Sequence, residues 1–258
     1  QRHRATKHPA HHPDPRQLSA KDPEGAMLAA FTPRRLTAEE LRDAMLQVSG
    51  ELNPALGGIP VRPEINAEAA LQPRQVMGTF AEAWQPSPLP AQRHRRSIYA
   101  LKLRGQGDPF MEVFNTPAPD ISCEARTTSI VTPQVFSLFN SQSSHDRALA
   151  FAARLKRESN SREQAVVHAF ALACGRPPTS GEIISSLRHW DGMAVRHQTL
   201  TFKPPTWPKV IIREAVEENT GEKFTFAEKL AGAEDFVPDL KPSDVDADTR
   251  ALAELCLV

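Results

Sequence analysis

The chain predicts a mainly α fold, an irregular multi-helix domain with long Pro-rich connections and little or no sheet. Three observations carry that expectation. S/T-x-x-E/Q capping boxes stand before apolar runs of helical period, 23 prolines and 12 glycines cut up the intervening chain, and strand-like alternation is scarce. The best strand candidate is the short run Ser129 to Val131.

Residues 1–24 are polar, and Pro9, Pro13, Pro15 and Pro23 exclude a regular element, so a flexible or extended N-terminal segment is expected. A single mainly helical domain is expected over 25–258. Its first clear helix opens at the Thr37/Glu40 box, carries Leu41, Ala44, Met45 and Val48 on one stripe, and stops at Gly50. From Asn53 to Pro90 the prolines and Gly57-Gly58 predict a long ordered connection or covering arm. The third quarter is plainly helical. Ser144 is a candidate cap for a helix with Ala148, Phe151, Ala152 and Leu155 on one face. Ser161/Gln164 opens a second helix that ends at Gly175 and Pro177, and Thr179/Glu182 opens a third with Ile183, Leu187 and Trp190. After Pro208 two weaker helical segments are expected, the second started by Thr225 and Glu228. A last helix from about Asp248 carries Leu252, Leu255 and Cys256. Its apolar stripe runs to the final residue, so a truncated end with an unpaired apolar face is expected.

Composition narrows the function classes. The 31 basic and 31 acidic residues balance, which disfavours a generic binder of nucleic acid or anionic membrane. No apolar run is long enough for a membrane span, and the opening residues do not read as a signal peptide. The three cysteines, Cys123, Cys174 and Cys256, form no C-x-x-C, so neither a zinc ribbon nor a c-type haem attachment is predicted in this chain. Cys174 and Cys256 fall on apolar helix faces and are expected as small buried hydrophobes.

The stretch from Arg95 to Asn140 concentrates the special chemistry. Arg95, Arg96 and Arg126 can fork onto carboxylate, sulfate or phosphate groups. Asp120 and Glu124 are candidate acid and base, with Glu112 nearby, and Cys123 is a candidate thiol beside Arg126. Asn115, Gln134 and Asn140 are candidate ligand-binding amides. The alternative is mutual neutralisation, in which these charges pair internally and the amides tie an irregular loop to helices. Imidazoles at His3, His8, His11 and His12 are a weak metal-binding candidate in a segment better read as a solvated tail, so no metal is assigned. Arg93 to Arg96 reads as a solvated or internally paired run rather than a phosphate-backbone patch, and Gly57-Gly58 lacks the Lys-Ser/Thr of a phosphate loop.

Four motifs occur in order: RRLTAEELRDAMLQVSGELN at 34–53, GGIPVRP at 57–63, the RRSIY…EVFN…PD-SCEAR…PQ…N block at 95–140, and ACGRPPTSGE at 173–182. Together they resemble the C-terminal domain of unknown function (1553) of the secreted, cytochrome c-linked proteins of planctomycetes. The resemblance implies a periplasmic or extracellular setting, an upstream partner domain, and c-type haem in the parent protein, with no cofactor in this chain. It transfers no catalytic residue. The leading expectation is an accessory or interaction domain that packs against the upstream domain and supports redox or ligand-binding activity, with a cytochrome or a carbohydrate as possible ligand. The competing expectation is a hydrolase of polysaccharide or sulfated sugar using a carboxylate/arginine site.

Overall fold

The structure is a computed structural model that describes residues 34–76, 79–126, 128–217 and 219–257. The compact unit runs from Thr37 to Val258. His8, His11, His12 and the expected segment 1–24 lie outside the described residues.

Helix α1 (Ala38–Ser49) begins where its capping box directs it. Thr37 N donates to Glu40 Oε2 at 2.9 Å, and Glu40 N donates to Thr37 Oγ1 at 3.3 Å. It ends at Gly50, whose φ of 80° no side-chain-bearing residue adopts cheaply. The connection that follows holds a short helix α2 (Ala67–Leu71) and the antiparallel pair β1 (Arg74–Val76) and β2 (Thr79–Ala81). Short helices α3 (Pro90–Arg93) and α4 (Pro109–Val113) each start on a proline, which suits a first turn that needs no donor there.

The helical third quarter contains α5 (Thr132–Asn140), α6 (Gln142–Glu158), α7 (Arg162–Ala173) and α8 (Ser180–Gln198). The Thr179/Glu182 box is reciprocal, and Arg176 together with the Thr179 amide pulls the Glu182 carboxyl down to about 2. Ser161 accepts from Gln164 N, but the Gln164 side chain reaches back to Asn160 N instead of closing a box.

Five further sequence expectations are corrected here. The cap of α6 is Ser141, which accepts from Ser144 N at 3.2 Å, because the helix starts two residues before Ser144. Ser129 to Val131 forms no strand; Val131 is instead the residue before α5. The two weak helical segments after Pro208 are β3 (Val210–Val216) and β4 (Lys223–Lys229), an antiparallel hairpin. Val210, Ile211, Ile212 and Val216 are β-branched, and Phe224 and Phe226 alternate with polar residues, so strand preference overrides the Thr225/Glu228 spacing. Cys174 is exposed, since α7 ends at Ala173 and leaves it as the cap residue outside the core.

The fifth correction concerns the last helix, α9 (Ala247–Leu257), whose apolar stripe is covered. Ala251 and Leu252 are fully buried in a cluster with Phe151, Leu155, Ala165 and Trp190, and Leu255 and Cys256 pack against it. Burial raises the Cys256 thiol well above its ordinary range. Trp190 Nε1 donates to Asp248 O at 3.0 Å, so α8 is pinned to the start of α9. Two smaller clusters complete the interior: Ala38, Phe110, Met111 and Phe114 join α1 to α4, and Ile65, Ala70 and Trp84 sit under the connection.

The α6–α9 cluster is the main apolar core. Leu155→Ala is expected to cost about 2–5 kcal/mol, whereas Val195→Ala, at a position 65% exposed, should stay within about 0.5 kcal/mol. Urea unfolding of the two variants checks both.

Candidate functional site

Arginine, not sheet, organises the irregular half of the molecule. Arg42, on the same face of α1 as Met45 and Leu46, donates to Arg93 O at 2.7 Å, to Arg95 O at 3.0 Å and to Ser97 Oγ at 3.1 Å. Its neighbour Asp43 accepts from Ser97 N and Ser97 Oγ, both at 2.7 Å. One turn of α1 thereby holds the segment 93–97 against it. Arg95 points the other way, stacks 4.1 Å over Tyr99 and donates to the carbonyls of Ala55, Gly57 and Ile59. Gly57 and Gly58, at φ 72° and 83°, make the turn that aims those carbonyls at one guanidinium.

The segment thus fixed delivers Arg93 and His94 to Asp239. Arg93 Nη2 donates to Asp239 Oδ1 at 2.5 Å, His94 Nε2 lies 2.9 Å from Oδ2, and Arg147 Nη2 of α6 donates to Oδ2 at 2.6 Å. Arg147 Nη1 also donates to Glu51 Oε2 at 2.6 Å and approaches His94 Nε2 at 3.0 Å. An ionised carboxylate can only accept, so we assign a proton to His94 Nε2 that it donates to Asp239, and the Arg147 Nη1 approach to that nitrogen is a contact between two donors rather than a hydrogen bond. Arg93 also donates to Ser87 O, Pro88 O and Val237 O through its two terminal nitrogens. Next along the chain, Lys241 donates to Asp146 Oδ2 at 2.8 Å and lies 3.9 Å from Glu64 Oε1.

Glu64, Arg93, His94, Asp146, Arg147 and Asp239 line a cleft of about 620 Å³, counted out into open solvent, whose floor includes Met45, Leu46, Ile65 and Phe110. The carboxyls in and around it are pushed in opposite directions. Burial alone would raise Asp239, but the His94 hydrogen bond and the charges of Arg147, His94 and Arg93 outweigh it and hold the group far below the usual carboxylate range. At Glu51, Glu64 and Asp108 burial dominates and raises the carboxyl, against the opposing pull of Arg147, Lys241 and the Phe110 amide respectively. Glu64 Oε2 is fully buried and has no hydrogen-bond partner among the described residues. A protonated Glu64 can therefore donate into its surroundings, while Asp239 stays an acceptor already filled from both sides.

The sequence-derived candidates are scattered around this centre. Asp120, Cys123 and Glu124 are exposed on one loop, where Asp120 accepts from Gly105 N at 2.8 Å and Cys123 Sγ contacts Ala125 O at 3.2 Å. Arg126 leaves that loop to fork onto Glu39, with Nη1–Oε2 at 2.6 Å and Nη2–Oε1 at 3.0 Å. Arg96 is exposed, 3.5 Å from Asp43. Asn115, at a φ of 62°, accepts from Ser129 Oγ at 2.8 Å and from the buried Gln134 at 3.3 Å, while Gln134 also donates to Val113 O. Asn140 donates to Phe136 O within its own helix. Asn115 and Gln134 are thus brought together, and Arg95 and Arg96 are turned apart. Of the ionic centre, only the Arg93–Arg96 run was visible in the sequence, as a solvated or internally paired run; Asp239 sits in a stretch with no motif around it. Among the described residues, no group of three His, Cys, Asp or Glu is placed to hold a metal, and no helix is long and apolar enough to cross a membrane.

A family model described as "Protein of unknown function (DUF1553)" matches residues 9–190. No curated protein matches, and no solved structure does.

Asp239→Asn leaves Arg93 and Arg147 buried against a neutral partner and is expected to cost about 3–5 kcal/mol at neutral pH. The Asp239 carboxyl lies below its unfolded value, so its contribution is present above about pH 4 and lost as pH falls below that. The deficit of the variant should therefore shrink in urea unfolding at acid pH.

Proposed function

We propose, for a chain that belongs to the DUF1553 family of proteins of unknown function, that it is an accessory module binding a small hydroxyl-rich ligand of carbohydrate type in the ionic cleft. The observation that carries this is the buried Glu64 Oε2, which has no hydrogen-bond partner among the described residues while Oε1 accepts from Gln142 Nε2 at 3.2 Å, beside an apolar floor. Sugars present C–H faces to side chains such as Met45 and Phe110, and hydroxyls to a carboxylic donor and to amides such as Asn66 and Gln142. In the parent protein this module would serve an exported, cytochrome-linked assembly and pack against the domain upstream, a reading supported by the motif resemblance. A haem stain on the periplasmic and extracellular fractions checks that setting, and a parent without haem would remove it.

Hydrolysis of polysaccharide or sulfated sugar draws on the same cleft, because glycoside cleavage needs one raised and one ionised carboxyl. Binding is the better reading. Both oxygens of Asp239 are already held by Arg93, His94 and Arg147, which leaves it a poor base or nucleophile. Release of reducing ends from a bound oligosaccharide, lost in Glu64→Gln, would reverse that preference.

Calorimetric titration with a panel of neutral and sulfated mono- and oligosaccharides tests the proposal. Glu64 donates only while protonated, so affinity should fall as pH rises through its elevated value. Glu64→Gln keeps a donor that does not titrate and should bind with little pH dependence. Saturable binding by none of the panel, or binding that Glu64→Gln leaves equally pH-dependent, sinks the proposal.

A further inference from the structure

A second cleft lies across the wall formed by Arg42, Pro63, Ile65 and Asp108, all four of which also face the ionic cleft. Counted out into open solvent it spans about 610 Å³, and its character is different. Trp84, Leu101, Met111, Pro117 and Pro119 make it predominantly apolar. Two of its lining residues carry buried oxygens without a hydrogen-bond partner among the described residues: Gln106 Oε1 and Thr116 Oγ1. The Gln106 amide is not free to turn over. Its Nε2 donates to Ala69 O at 3.1 Å, and a flip would set two oxygens against each other. Gln106 therefore offers an acceptor, and Thr116 a hydroxyl that can serve either way.

The charges at the edge of this cleft are engaged elsewhere. Arg42 is spent on Arg93 O, Arg95 O and Ser97, Asp108 caps α4 by accepting from Phe110 N at 3.0 Å, and Lys102 lies 3.8 Å from Glu39. No uncommitted charge is offered to a ligand. A concave apolar surface with one fixed acceptor and one hydroxyl matches a flat, neutral molecule bearing a single donor. We infer that this cleft is a second ligand site, independent of the ionic one, for a neutral aromatic or similarly flat apolar compound whose O–H or N–H bonds to Gln106 Oε1.

The probes are p-cresol and toluene, which share a shape and differ by the hydroxyl. The readout is the Trp84 indole N–H resonance, because that group donates to Pro63 O at 2.8 Å on the cleft wall. p-Cresol should move it saturably, and toluene should do so with affinity about threefold to tenfold weaker, the span of one net hydrogen bond. Gln106→Leu should erase the difference, and Ala100→Phe, which fills the cleft, should erase binding by both. Should Ala100→Phe fail to fold, the wild-type comparison decides alone. No saturable shift at Trp84, equal affinity for the two probes, or shifts spread equally over Trp190 and Trp207 overturns the inference. The carbohydrate titration reads Glu64 rather than Trp84, so failure of one site is distinguishable from failure of the other.

Discussion

The Asp239 carboxylate is the interaction on which the irregular half of the structure depends. It gathers Arg93, His94 and Arg147, and through Arg147 it gathers Glu51 as well. Four stretches that share no sheet are thereby joined: the end of α1, the Pro-rich run before His94, the first turns of α6, and the segment around residue 239. Long connections expose many backbone carbonyls that ladders would otherwise satisfy. Here guanidinium groups take them. Arg93 donates to three carbonyls, Arg95 to three, Arg154 to the last carbonyls of α1, and Arg250 to Pro242, Val245 and His197. Burying such charges is costly, and a planar fork that fills several acceptors at once offsets that cost better than a lysine can.

That scaffold has a chemical consequence. A site walled by ion pairs and floored by α1 and α4 is poorly solvated, so each carboxyl takes the protonation its immediate partners dictate. Asp239, held by two guanidinium groups and an imidazole, stays ionised; at Glu64, with one distant lysine, burial raises the carboxyl. The same arginine that pins residues 93–97, Arg42, also separates the polar cleft from the apolar one. Structural and ligand-facing roles therefore share residues, and substitutions in this wall affect folding and binding together.

Much of the helical half was legible. Thr37/Glu40 and Thr179/Glu182 are local devices whose partners lie three residues apart, and Gly50 needs only its own backbone angle to stop α1. The β3–β4 hairpin was misread because its spacing imitates a capping box while its β-branched and aromatic content favours strands. Arg126 looked like part of a site with Asp120 and Glu124, yet its fork closes on Glu39, 87 positions away, a pairing no local pattern announces. Asp239 was invisible for the same reason: its partners are 92 to 146 positions distant.

By itself the sequence determined the helical class, the starts of α1 and α8 at their closed capping boxes, and the family motifs, because each rests on residues within a turn or two of one another. Tertiary structure alone decided that α9 is a core helix, that Arg93 and His94 face inward, and which carboxyl keeps its proton. Those outcomes depend on burial and on charges brought together from distant stretches, and neither quantity exists until the chain has folded.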